Sequence, residues 1–261
     1  MLTLSPFNMA EIKKEIFGVI HSYETLGAAD GPGLRFVLFT QGCNLRCKYC
    51  HNPDSWQKCP VEKAADKGFR VVSASEIARE ALKYKNYYGR RGGITVSGGE
   101  PLLQAEFVIE LFKIMKENGV NTAIDTSGLE YSEGDEKFDE LLRFTDLVLL
   151  DVKHIDSDKC KALTGRGNEN FFKFARRLES EKIPVWIRQV LVPDYTDDEK
   201  DLIKTREFIQ TLSNVEKVEI LPYHTLGKSK YEKLGIPYSL EGVKSPTAEE
   251  VARAKKLLGI I

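Results

Sequence analysis

The chain has 261 residues, 42% hydrophobic and 30% charged, with 38 basic side chains against 39 acidic ones and a net charge of -1. A chain of this length buries roughly 70–75% of its unfolded surface, so its core needs no disulfide or metal staple. The balanced charge excludes recognition of nucleic acid or an anionic membrane by electrostatics alone, and no run of about 18 apolar residues suggests a membrane span.

Residues 1–15 read as a loose N-terminal extension and 16–261 as a single folded domain. The start lacks a basic segment followed by a long apolar one, which predicts a cytoplasmic chain. In that reducing compartment the five cysteines are thiols or metal ligands. Short apolar, β-branched runs predict strands over 16–21, 34–40, 93–97, 121–125, 146–151, 185–191 and 217–221. Helical patterns fall over 75–84, with Ser75 as N-cap, and over 104–118, closed by Gly119. Further helices are expected over 138–144, 171–180, 197–212 and 247–258, and a surface loop over 58–70. Phe107, Phe112, Phe171, Phe172 and Phe174 read as core.

Strand–helix alternation predicts parallel β/α units, about six of them after the cysteine segment. Runs such as LVLLDV and VWIRQVLV are apolar on both faces, as strands covered on both sides require. The strand ends carry Gly98-Gly99-Glu100-Pro101, Asp125-Thr126-Ser127-Gly128, Asp151-Val152-Lys153-His154 and Tyr223-His224. In parallel β/α folds this end forms the ligand-binding face.

Cys43, Cys47 and Cys50 form a C-x3-C-x2-C run just after the second predicted strand. Soft thiolates on one short loop select zinc, copper or an iron–sulfur cluster. Cubane clusters usually take four cysteines; here a fourth would come from Cys59, from Cys160 or from nowhere. With three ligands one iron stays open, by analogy with catalytic zinc sites. The residues also leave open a structural zinc completed by His51 or Cys59.

The C-x3-C-x2-C run with Tyr49 before its last cysteine resembles the radical S-adenosylmethionine (SAM) superfamily. Several other segments resemble, more narrowly, the pyruvate formate-lyase-activating enzymes, a family of glycyl radical activases. They are His21-Ser22-Tyr23-Glu24, Asp30-Gly31-Pro32-Gly33-Leu34-Arg35-Phe36, Tyr49-Cys50-His51-Asn52-Pro53, Ser97-Gly98-Gly99-Glu100-Pro101 and Trp186-Ile187-Arg188. Leu221-Pro222-Tyr223-His224, followed by Leu226-Gly227 and Lys230-Tyr231, completes the set. The resemblance runs from about Phe17 to the C-terminus.

The resemblance implies an α/β fold, a partial (β/α)6 TIM-like barrel. It implies a 4Fe–4S cluster on Cys43, Cys47 and Cys50, with SAM on the open iron. Gly98 and Gly99 would hold the SAM amino group through backbone atoms, with Glu100 nearby. Tyr49 and His51 would flank the adenine, and His224 would meet the nucleoside end. Asp151, Val152 and Lys153 would form a second SAM contact, Lys153 pairing with its carboxylate. A monovalent cation would sit on Asp125, Thr126 and Asp151, with Leu149 where the family has Met. The implied chemistry is reductive cleavage of SAM to methionine and a 5′-deoxyadenosyl radical, which takes a hydrogen atom from a glycine of pyruvate formate-lyase. Asp30 and Arg188 would hold that glycine loop, and flavodoxin or ferredoxin would donate the electron.

Blander roles compete for the same residues. Asp30 suits a tight turn, His224 a satisfied structural histidine and Arg188 an internal ion pair, and Asp125 and Asp151 suit helix caps. At the level of function, the alternatives are an activase for a different glycyl radical enzyme and a non-catalytic zinc module. Cys59 is the only cysteine between Cys50 and Gly98, which leaves no cysteine-rich insert for a second cluster.

Overall fold

A computed structural model describes residues 15–260, so most of the predicted extension lies outside the described residues. The chain forms eight strands: β1 (Phe17–Gly27), β2 (Arg35–Thr40), β3 (Arg70–Ser73), β4 (Gly93–Gly98), β5 (Asn121–Thr126), β6 (Leu147–Asp151), β7 (Val185–Leu191) and β8 (Val215–Pro222). They make one sheet in the order β3-β1-β2-β4-β5-β6-β7-β8. β1 is antiparallel to both β2 and β3. From β2 through β4 to β8 every pairing is parallel. Six parallel strands with outer helices form the partial barrel expected of a (β/α)6 fold, with β3 and β8 as its unjoined edges. Five of these strands follow the cysteine segment and β2 precedes it, which corrects the expected count of units.

The helices are α1 (Val61–Ala64), α2 (Ala74–Leu82), α3 (Ala105–Glu117), α4 (Glu136–Arg143), α5 (Ser157–Thr164), α6 (Glu169–Ser180), α7 (Glu199–Gln210), α8 (Lys228–Leu234) and α9 (Ala248–Leu257). Their starts follow capping chemistry. Thr247 and Glu250 form a reciprocal capping box on α9, and Asp198 caps α7 through the amides of Lys200 and Asp201. Gly119 ends α3 with φ +67°, a conformation glycine adopts without steric cost.

Two expectations fail locally. Ser73, not Ser75, caps α2, accepting the Glu76 amide; Ser73 ends β3, and its extended backbone points its hydroxyl back into the first turn. Residues 58–70 are not one loop, because α1 lies within them and β3 begins at Arg70. Both elements have four residues, too few to show a period. Phe107, Phe112, Phe171 and Phe174 are buried core, and Phe172 packs half-buried against them.

Candidate active site

The three cysteines sit on the loop after β2, and the fold fixes that loop from three sides. The Gly42 amide donates to the Ser55 carbonyl at 2.8 Å and the Cys43 amide to that of Trp56 at 3.2 Å. The Arg46 and Lys48 amides donate to Thr164 at 2.7 Å and Leu163 at 3.0 Å. These last carbonyls of α5 lack intrahelical partners, so a helix end is used to hold the loop. On the third side, the Tyr231 hydroxyl of α8 donates to the Cys50 carbonyl at 3.0 Å.

The loop after β4 is stapled to the same segment. The Gly99 amide donates to Thr40 and the Glu100 amide to Gly42, both at 2.9 Å. Here glycine is required by backbone approach. Gly98 has φ +112°, and a Cβ on Gly99 would lie 2.2 Å from the Gly42 carbonyl oxygen. Gly99→Ala must therefore push the cysteine loop away. We expect it to cost about 1–3 kcal/mol and to lower the iron bound after anaerobic reconstitution; unaltered iron content would contradict this coupling.

One cavity of about 340 Å³ is lined by Cys43, Cys47, Cys50, Tyr49, His51, Gly98, Gly99, Glu100, Asp125, Thr126, Asp151, Lys153, Arg188 and Asp30. Val152 is absent from this lining: its side chain is buried, and its amide donates to the Arg188 carbonyl at 2.8 Å. His224 stacks on His51 at 3.9 Å between ring centroids, and its carbonyl meets His51 Nε2 at 3.0 Å. The Nδ1 atom of His224 is buried with no protein partner among the described residues.

The donor set fits an iron–sulfur cluster with one open iron. Burial pushes the Cys43 thiol up to about 11 and Cys47 to about 12, and it raises Cys50 as well. These groups are neutral thiols until a metal displaces their protons. Cys59 lines a different cavity, and Cys160 is fully buried with its sulfur 3.9 Å from Thr164 Oγ1. Neither reaches the site as a fourth ligand. Among the described residues no three His, Cys, Asp or Glu side chains gather around a point as one metal ion requires.

The charged groups form a chain across the cavity. Arg188 donates from Nη2 to Asp125 Oδ1 at 2.5 Å and from Nε to Asp151 Oδ1 at 3.1 Å. Asp125 Oδ2 accepts from Ser97 at 2.6 Å, and Asp151 Oδ2 from Lys153 at 2.9 Å. Burial raises the Asp125 carboxyl despite Arg188. For Asp151, burial is outweighed by Lys153 and Arg188, which hold the carboxyl below its usual value. Burial also opposes the charge on Lys153, yet Asp151, with Tyr49 and Cys47, keeps its ammonium well above the ordinary range. All four carboxylate oxygens are thus engaged. The monovalent cation expected on Asp125, Thr126 and Asp151 would share these carboxylate oxygens with Arg188, Ser97 and Lys153, each oxygen keeping a second lone pair. Neither aspartate caps a helix.

Glu100 is buried and faces inward. It accepts from Thr126 at 2.5 Å and from the Ser127 hydroxyl at 2.6 Å, tying the ends of β4 and β5 together. Ser97 and Ser127 stood within quoted motifs but without a role, whereas the α5 carbonyls escaped the sequence altogether, because a backbone carbonyl leaves no residue signal.

Residues 37–205 match the family model described as the radical SAM superfamily. The chain is 54% identical over 241 residues to the pyruvate formate-lyase-activating enzyme of Staphylococcus epidermidis, covering 91% of this chain and 93% of that one. It is 48% identical over 248 residues to the enzyme of the same name from Streptococcus mutans, covering 94% and 92%. Among solved structures, a domain of the pyruvate-formate lyase-activating enzyme from Bacteroides vulgatus superposes with TM-score 0.54 at 29% identity, over 65% of this chain and 94% of that one.

Proposed function

We infer the function from one premise: the chain belongs to the radical SAM superfamily and, within it, to the pyruvate formate-lyase-activating enzymes. It activates pyruvate formate-lyase by generating a glycyl radical on that partner. When bound, the 4Fe–4S cluster supplies one electron that cleaves SAM to methionine and a 5′-deoxyadenosyl radical, the species that takes the glycine hydrogen. The protein's own part is to bind, orient and exclude.

The observation that carries the assignment to this site is the single cavity shared by Cys43, Cys47, Cys50, the Gly98-Gly99 turn, Asp30 and Arg188. In this reading the three cysteines hold the cluster and leave one iron for SAM. Gly98 and Gly99 offer backbone atoms to the SAM amino group. Lys153 neutralises its carboxylate, with Asp151 fixing the ammonium. Tyr49, His51 and His224 enclose the adenosyl end, and Val152 contributes through its backbone. The orphan Nδ1 of His224 suits a polar atom of the nucleoside, since a buried nitrogen left unpaired is costly. Asp30 and Arg188 grip the partner's glycine loop by its backbone.

A flavodoxin or ferredoxin in the cytoplasm donates the electron in this reading. Among the described residues no helix is long and apolar enough to cross a membrane. Coupling to the partner is testable. With reductant and SAM, 5′-deoxyadenosine should accumulate in step with partner radicals, one for one, and slow sharply when pyruvate formate-lyase is omitted. Nucleoside formation indifferent to the partner would contradict this reading.

A further inference from the structure

Arg35 is the largest fully buried side chain described, at 0% exposure. Burial pulls its guanidinium down to about 10. None of its hydrogen-bond partners among the described residues is a carboxylate. Nε donates to Thr95 Oγ1 at 2.6 Å. Nη1 donates to Pro32 O at 3.2 Å and Arg91 O at 3.0 Å. Nη2 donates to Ile94 O at 2.8 Å and Asn121 Oδ1 at 2.9 Å. Every one of the five N–H groups has an acceptor, the most this side chain can satisfy.

A buried cation with only neutral partners is a poor source of stability, so its retention asks for a geometric reason. Its contacts supply one. Thr95, itself fully buried, accepts from Arg35 and donates its own hydroxyl hydrogen bond to the Asp30 carbonyl at 2.7 Å. Arg35 thus holds the loop between β1 and β2 twice, directly at Pro32 and through Thr95 at Asp30. Gly31, at φ +122°, packs so closely that a Cβ there would lie 2.9 Å from Arg35 Cδ. The Asp30 carboxylate meanwhile faces the cavity, 4.0 Å from Arg188.

We propose that Arg35 and Thr95 are positioning residues that set Asp30 to receive the partner's glycine loop. The inference rests on the reading of Asp30 as a partner-binding residue. The relay acts on the backbone of the loop and touches neither the cysteines nor the SAM-facing glycines, so its loss should weaken partner binding selectively. Lysine cannot replace Arg35, since one ammonium cannot span five acceptors.

The test uses the cluster-loaded enzyme carrying Thr95→Val, Thr95→Ser, Arg35→Lys or Asp30→Ala. Two readouts are needed: KM for pyruvate formate-lyase alongside SAM affinity, and amide hydrogen exchange across residues 28–34. Thr95→Val and Arg35→Lys should raise KM for the partner about tenfold, the worth of one lost hydrogen bond, with SAM affinity unchanged and exchange accelerated. Thr95→Ser, which keeps the hydroxyl, should restore both readouts. Unchanged exchange in Thr95→Val, with Asp30→Ala still raising KM, overturns the relay. Accelerated exchange in Thr95→Val, with Asp30→Ala leaving KM unchanged, overturns instead the role of Asp30 and with it the purpose of the relay. SAM affinity falling in parallel with partner affinity would make the pair a purely structural brace.

Discussion

Cys47→Ala is expected to give a folded protein that binds no cluster, cleaves no SAM and forms no glycyl radical. Cys47 is buried and sits on a loop held by Ser55, Trp56, Leu163 and Thr164 through backbone bonds that the substitution leaves in place. A core of this size does not depend on the metal. The melting temperature of the metal-free variant should therefore lie within about 2–4 °C of the metal-free parent, the shift that ~1 kcal/mol produces at this chain length. Iron and sulfide assays after anaerobic reconstitution, with a thermal scan, decide the matter. Global unfolding would mean a structural metal, and retained cluster would mean that the ligands lie elsewhere.

The second large effect concerns Arg188, which bridges two carboxylates from different strands. Removing it leaves Asp125 and Asp151 half-buried and facing each other with only Ser97 and Lys153 as partners. Breaking a buried pair in this way costs about 3–5 kcal/mol, so Arg188→Leu should lose that much in urea denaturation near neutral pH. The deficit should depend on pH. In the variant, burial and mutual repulsion raise the Asp125 carboxyl further above its unfolded value, and Asp151 loses one of the two cations that hold it low. A carboxyl raised on folding destabilises the fold fully above its folded pKa, and the penalty fades as pH falls through that value. In the parent, Asp151 is held low and stabilises the fold above its unfolded value, a contribution lost on acidification. Both trends shrink the gap between variant and parent toward low pH. A deficit constant between neutral pH and about pH 5 would show that the carboxylates are not what Arg188 compensates.

The parts of this site that were legible in the sequence are local. Cys43, Cys47 and Cys50 announce themselves by spacing, and Gly98, Gly99, Asp125, Asp151 and Lys153 by position at strand ends, where a continuous apolar run stops. The extent of α5 was not legible, because eight residues reading SDKCKALT show no clear apolar stripe, although its last two carbonyls anchor the cysteine loop. α8 escaped for the same reason. The partners of Arg188 lie 63 and 37 residues away in the chain, a pairing that only the register of parallel strands creates. Composition could suggest that a mid-strand arginine needs a carboxylate, but not which one, and helix capping by Asp125 and Asp151 was an equally local guess. Arg35 is harder still to read: its acceptors are mostly backbone carbonyls, so no side chain in the sequence points to it.

The residues so assembled imply one product. The most direct test is electron paramagnetic resonance of pyruvate formate-lyase incubated anaerobically with the reconstituted enzyme, SAM and a low-potential reductant. A glycyl radical doublet on the partner, absent when SAM is withheld, is the predicted result. SAM cleaved to 5′-deoxyadenosine with no radical on pyruvate formate-lyase would contradict the assignment.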